Sequence, residues 1–156
     1  MDDTLQKSFE HAWKYFEIHA NQRMQMFNYY IAISTAITAG LATSFQVGYK
    51  LSMLGIVMGL LLMLVSFIFS KLDARTSFLI KHAEQSLKKF ELAVNSPDYF
   101  IFTLEENITH LNLTSNRCHI FTSWTYTKSF QFMFLILSLL GLGGAVISAL
   151  IYFKII

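Results

Sequence analysis

Arg75, His82 and Lys89 recur every seven residues, two helical turns, so in a helix all three project from nearly one face. A cation and a titratable imidazole on one line could act on a phosphodiester, with His82 as general acid or base and Arg75 steadying the charged transition state. The same spacing equally describes a solvated basic stripe on a helix near anionic lipid, and an Arg followed at this distance by a His is frequent by chance. His19, Asn21 and Arg23 form a second group, in which His19 and Arg23 lie one turn apart and could pair with Asp73 or with lipid phosphates. His11, His110 and His119 share no metal-ligand spacing, and the single Cys118 has neither ligand neighbours nor an intrachain disulfide partner. With no phosphate-binding glycine loop, nucleophile elbow or zinc motif, no metal or cofactor is expected. The stronger signal lies in the elements that carry these residues.

Of the 156 residues 54% are hydrophobic and only 14% charged, far more apolar than one soluble core requires. Three intervals are free of charge: Arg23 to Lys50, Lys50 to Lys71, and Lys128 to Lys154. Each leaves about 20 residues or more, enough for a helix to cross a hydrocarbon slab about 30 Å thick. Residues 51–70 hold no polar group larger than serine, whereas residues 26–45 carry Asn28, Ser34, Thr35, Thr38 and Thr43 and need a polar seam. The short link Gln46-Val47-Gly48 makes residues 26–70 a membrane hairpin, and residues 127–153 a third span. Residues 1–25 are charged throughout and do not read as a cleaved signal.

Charge sets the expected orientation. Ten of the 12 basic residues lie before the first span or between the second and third, which places both segments in the cytosol and the carboxyl terminus outside. Tyr29, Tyr30, Trp124, Tyr126 and Tyr152 fall near span ends, where amphipathic rings favour the headgroup layer. All ten carboxylates share the cytosolic side with ten cations, so that side is formally neutral and a poor general binder of nucleic acid. Asn107 and Asn112 match the glycosylation tripeptide, but they fall on the cytosolic side and are read as chance matches.

The cytosolic parts read as helices. Leu5, Phe9, Trp13, Phe16 and Ala20 form one apolar face within residues 1–25, and Leu72, Leu79, Ala83, Leu87, Phe90 and Val94 form another. Nothing between Leu51 and Val94 stops a helix, so the second span continues unbroken until Asn95, Ser96 and Pro97 end it. Ser96 and Pro97 then suit the start of a short helix to about Glu106, residues 107–114 read as irregular, and a last helix from Ser115 feeds the third span. Residues 71–126 thus form a small cytosolic module.

Two sets of residues in the spans invite contact. Gly55 and Gly59, together with Ala32, Ala36 and Gly40, allow helix backbones to approach closely, within one protomer or between copies, and homo-oligomerisation is expected. Asn28, Thr35, Thr38 and Ala42 share one side of the first span, which must face protein or water rather than lipid and could line a pore; their hydroxyls could instead bond their own backbone. The expected fold is all-α, with three transmembrane helices and a small cytosolic helical module, in a homo-oligomer surrounded by membrane lipid.

Two segments, YFEIHANQRMQMFNYY from Tyr15 and KLDARTSFLIKHAEQSLKKFE from Lys71, resemble small prokaryotic membrane proteins of the RipA octameric type, to which the membrane accessory proteins of type VI-B, RNA-targeting CRISPR systems look related. The resemblance covers roughly the first 95 residues. It implies an octameric ring in the inner membrane that acts in phage defence or stress by permeabilising or depolarising the cell, with a cytosolic defence effector as partner. It also implies a divergent HEPN-type ribonuclease motif, which Arg75 and His82 match at its longest spacing, although Thr76 directly after the Arg departs from it. A similar two-span plan occurs in the SLATT effectors of nucleotide-activated defence; the third span departs from that plan. The reading carried forward is a non-enzymatic pore-forming or pore-gating membrane protein, with a membrane-tethered ribonuclease or a scaffold as the alternatives.

Overall fold

The computed structural model describes residues 3–94, 101–104 and 125–153, and among these every regular element is helical. Helix α1 (Asp3–Val47) is followed by a 3-10 turn (Gly48–Leu51), helix α2 (Ser52–Val94) and helix α3 (Tyr126–Tyr152). Gly48 sits at φ 69°, a left-handed conformation that costs a residue with a Cβ about 1 kcal/mol or more, and the chain reverses there. Because helical geometry continues through this turn, two runs, not three, are long and apolar enough to cross a membrane: Asp3–Ala93 and Tyr126–Tyr152. The two expected spans of residues 26–70 belong to the first run. α2 is unbroken to Val94, as its lack of internal stop signals predicts. The expectations for Asn95 to Pro97, for residues 107–114 and for a helix from Ser115 lie outside the described residues, as do Cys118, His110, His119, Asn107, Asn112 and Trp124; residues 101–104 are helical.

The chain divides into two compact units, Met1–Gln22 with Arg75–Thr125, and Arg23–Ala74 with Tyr126–Ile156. In the first, the interior is aromatic and aliphatic. Ile80, Ala83 and Leu87 are buried, Phe9 meets Phe90 edge to face at 5.9 Å, and Trp13 and Phe16 converge on Phe102 at 6.4 and 5.6 Å. Charged side chains such as Lys7, Glu10, Lys14, Lys81 and Lys89 face outward. The buried face of α2 here runs through Thr76, Ile80, Ala83, Leu87 and Glu91, which leaves Leu72 exposed, unlike the apolar stripe expected to include it.

Glu91 closes this buried face. Its carboxylate accepts bonds from the Phe102 amide at 2.9 Å, the Thr103 amide at 3.1 Å and the Thr103 hydroxyl at 2.8 Å. These bonds tie the stretch 101–104 to α2. Burial alone would raise the Glu91 carboxyl, but the bonds from Phe102, Thr103 and the Ile101 amide outweigh it and hold the group below its ordinary 4.5.

The second unit mixes buried serines with an apolar core in which Tyr30, Phe130 and Phe134 pack with Phe27, Phe69 and Leu137. α1 and α2 run antiparallel, with Arg23 level with Asp73, Tyr30 with Ser66 and Gly40 with Met58. α3 runs parallel to α1, Phe27 stacking on Phe130 at 3.9 Å and Leu41 meeting Gly144. Ser34, Ser44, Ser52, Ser66 and Ser148 are fully buried alongside Tyr30 and Leu62, whereas Met53, Val57, Leu60, Leu64, Phe67, Leu135, Leu139, Leu142 and Val146 are exposed. Only 28% of the apolar stretch in each of the two runs is buried inside the protein. Tyr30, expected near a span end, packs between the helices: it is 0% exposed and bonds Ser66 at 2.9 Å. Ser66 donates its one proton to the Leu62 carbonyl at 2.8 Å, so Tyr30 is the donor between the two.

Candidate functional site

The residues singled out for chemistry are not assembled into a catalytic cluster. Arg75 and His82 are both exposed on α2, two turns and about 10 Å apart along its axis. Phe78, Gln85 and Lys89 share that exposed face. His19 turns to Gln22 at 3.3 Å and lies edge-on to Tyr15. Among the described residues, no group of three His, Cys, Asp or Glu side chains could hold a metal.

The glycines pack inside the protomer. A Cβ on Gly59 would stand 2.6 Å from the Gly141 carbonyl oxygen and 2.7 Å from the Ala145 nitrogen, so α2 and α3 touch backbone to backbone there. Gly55 faces the hydroxyls of Ser44 and Ser148, and Gly40 meets only the flexible Met58 side chain. These contacts close the middle of the bundle, and no aqueous passage runs between α2 and α3 at that level. Ala32 and Ala36 instead point outward.

The seam of the first span has a definite place. The buried face of α1 in this unit is Tyr30, Ser34, Ile37, Leu41 and Ser44. Opposite it, Gln25, Asn28, Ala32, Thr35, Ala39, Ala42 and Gln46 are all exposed, and they recur at alternating intervals of three and four residues. Every large apolar residue is missing from this stripe, while the outward faces of α2 and α3 are rich in Leu, Ile, Val, Met and Phe. Asn28 and Gln46 stand about 27 Å apart along the axis, close to the thickness of a hydrocarbon core. Between them the side chains are alanine and threonine. Thr35 bonds the Ile31 carbonyl at 2.8 Å and Thr43 the Ala39 carbonyl at 2.9 Å, so their hydroxyls are satisfied without a partner helix. Thr38, the fourth residue expected on the seam, is half-buried at its margin and bonds the Ser34 carbonyl at 2.7 Å. Gln25, Ala39 and Gln46 were not expected; carrying the three-four spacing of Asn28, Thr35 and Ala42 in both directions finds them.

A second polar feature lies at one end of the same unit. Arg23 donates through Nε to Asp73 Oδ1 at 2.6 Å and through Nη2 to Asp73 Oδ2 at 3.1 Å and to Thr127 Oγ1 at 3.1 Å. The Arg23 and Asp73 side chains are 11% and 6% exposed. The guanidinium also lies over the Phe130 ring, 5.2 Å from its centre. Arg23 was expected to meet Asp73 or lipid, and it meets Asp73.

The described residues define an all-helical protein whose second unit sets serines and a close glycine contact among apolar core residues, beneath an aliphatic surface. The chain is 41% identical over 142 residues, 91% of each chain, to CD-NTase-associated protein 19 of Escherichia coli, and it belongs to that protein's family. No family model matches the chain, and no solved structure matches it.

Proposed function

We propose that the protein is a membrane effector of anti-phage defence, of the CBASS type to which its relative is assigned, acting beside a CD-NTase and permeabilising or depolarising the inner membrane as a homo-oligomer. The kinship supports the defence role. The observation that carries the membrane mechanism is the exposed α1 stripe from Gln25 to Gln46, polar and small where the neighbouring helices are aliphatic.

In this reading α1, α2 and α3 cross the bilayer, so the residue-26-to-70 hairpin and α3 make three spans. The small side chains of the stripe let another helix approach closely, and the close-packed α2–α3 contact fills the space between those two helices in one protomer. Several copies arranged about an axis bury that stripe or turn it to water, and a head-to-tail contact that closes gives a ring. Tyr49 stacks near Tyr152 at 6.2 Å, so the Gly48 turn, with Lys50, and the end of α3 share one side. The ten basic residues that lie before the first span or between the second and third then fall in the cytosol with the amino terminus. The reading is non-enzymatic.

The test uses the whole chain expressed in cells. Thr35→Leu with Ala39→Leu makes the stripe apolar and favours dewetting of a narrow pore. Dye entry and depolarisation are expected to be lost, while His82→Ala keeps them, provided both proteins reach the membrane at wild-type levels. An inactive His82→Ala with an active stripe variant and RNA cleavage by purified protein would replace this reading with the ribonuclease. A cysteine placed after Ile156 is expected to react with an impermeant thiol reagent in intact cells; labelling at residue 2 instead would invert the orientation.

A further inference from the structure

We propose that Arg23, Asp73 and Thr127 form a latch that holds the three-helix unit in its non-conducting arrangement, and that separating Arg23 from Asp73 is part of activation. This rests on the permeabilisation reading above.

The two ends of the unit are held by different forces. Near Gly48, the helices meet through Gly55, Ser44 and Ser148, contacts that work by shape. At the other end, one guanidinium joins all three helices: it stands on α1, grips Asp73 of α2 in a two-point geometry and reaches Thr127 of α3. Phe27 and Phe130 stack directly beneath, which ties the position of α3 to that of Arg23.

A buried ion pair is a poor device for stability alone, because desolvation cancels most of its attraction and apolar residues of equal volume often do as well. What it supplies is discrimination between arrangements. A shift of α2 against α1 by one turn, about 5.4 Å, carries Asp73 out of reach and leaves two buried charges unpaired, so intermediate positions are disfavoured and the change becomes two-state. A cavity no larger than a water molecule, lined by Arg23, Met26, Phe27, Phe69, Asp73 and Phe134, adjoins the pair, so packing around it is not complete. The polar stripe of α1 begins at Gln25, two residues after Arg23, so the helix that the latch restrains is the one that carries the candidate lining.

The experiment measures membrane potential and propidium entry in cells carrying the complete defence system, before and after phage infection. Arg23→Gln with Asp73→Asn removes both charges and strands neither, so it tests the latch without an orphaned buried ion. Before infection this pair is expected to raise dye entry roughly tenfold over wild type, as expected when a minor open state gains population. Arg23→Asp with Asp73→Arg should return the signal most of the way to wild type, which a general loosening would not do. If the neutral pair reaches the membrane, melts within a few degrees of wild type and stays as tight as wild type before infection, the latch is overturned. If infected wild-type cells keep their potential, the permeabilisation reading falls and takes the latch with it.

Discussion

The two units bury different mixtures of side chains. In one, Ile80, Ala83 and Leu87 are buried with Phe16 and Phe102 beside them, and most lysines face out. In the other, serines and close-packed glycines lie among an apolar core of Tyr30, Phe130, Phe134, Leu41 and Leu62, and many leucines face out. Close backbone contact of this kind is how helices pack where the surroundings offer no hydrophobic drive. Under the membrane reading proposed above, an exposed Leu139 and an exposed Phe78 would lie in surroundings of opposite polarity, so burial has to be interpreted by region.

The largest expected effect comes from overfilling the glycine contact. Gly59→Leu would drive a side chain into the Gly141 carbonyl and the Ala145 backbone, neither of which can swing aside, and should cost about 3 kcal/mol or more. Loss of monodisperse protein in detergent is the readout. Gly143→Leu is the control, because nothing lies within 4 Å of the Cβ it would add, and it should behave as wild type. Equal tolerance of both would mean that α2 and α3 do not meet as closely as the structure places them.

The solvent difference can be tested by placing the same charge on each surface. Leu139, 58% exposed on α3, should tolerate Arg poorly, with an insertion penalty of roughly 2.5–3.5 kcal/mol if it lies near the bilayer centre. Phe78→Arg, on a residue 68% exposed in the other unit, should change stability by only about 0.5 kcal/mol. Insertion efficiency into membranes and thermal melting read the two outcomes. Similar costs at both sites would erase the distinction between the units.

How much of this was legible in the sequence follows from the same contrast. Uncharged intervals located the apolar stretches, the absence of stop signals predicted the length of α2, and Asp73 was named as a partner for Arg23. The inner face of α1 was harder to find, because inside and outside both carry small and hydroxylated residues: Ser34 and Ser44 are buried, Thr35 and Thr43 exposed. Hydrophobicity alone therefore does not separate the two faces of α1. Tyr30 was placed near a span end from its position along the chain, and its bond to Ser66, 36 residues away, could not be read from spacing. Gly55 and Gly59 signalled close approach correctly in kind, but spacing alone cannot say whether the approaching helix belongs to the same protomer. Glu91 gave no warning at all, since a carboxylate beside an apolar stripe normally faces water.

Glu91 also gives a prediction confined to the first unit. Glu91→Ala would leave the Phe102 and Thr103 amides without their acceptor, a loss of about 1–3 kcal/mol that should appear as faster amide exchange across residues 101–104 and leave α3 unchanged. Exchange as slow as in wild type would remove the cap from the account.

The smallest effect is the acid limb of the same contact. Because the folded carboxyl lies below its ordinary 4.5, its contribution is fully present above that value and disappears as pH falls through the folded-state pKa beneath it. Protonation leaves Glu91 a poorer acceptor for three donors, and the stretch 101–104 should loosen. Trp13, 6.4 Å from Phe102, reports the change by fluorescence once Trp124 is replaced by Phe. Lowering the pH from 6 should leave the signal flat until below 4.5 and then shift it, and Glu91→Gln, which cannot titrate, should remove the step. A step centred well above 4.5, or one that survives in Glu91→Gln, would assign the transition to another group and leave the aromatic unit without its carboxylate cap.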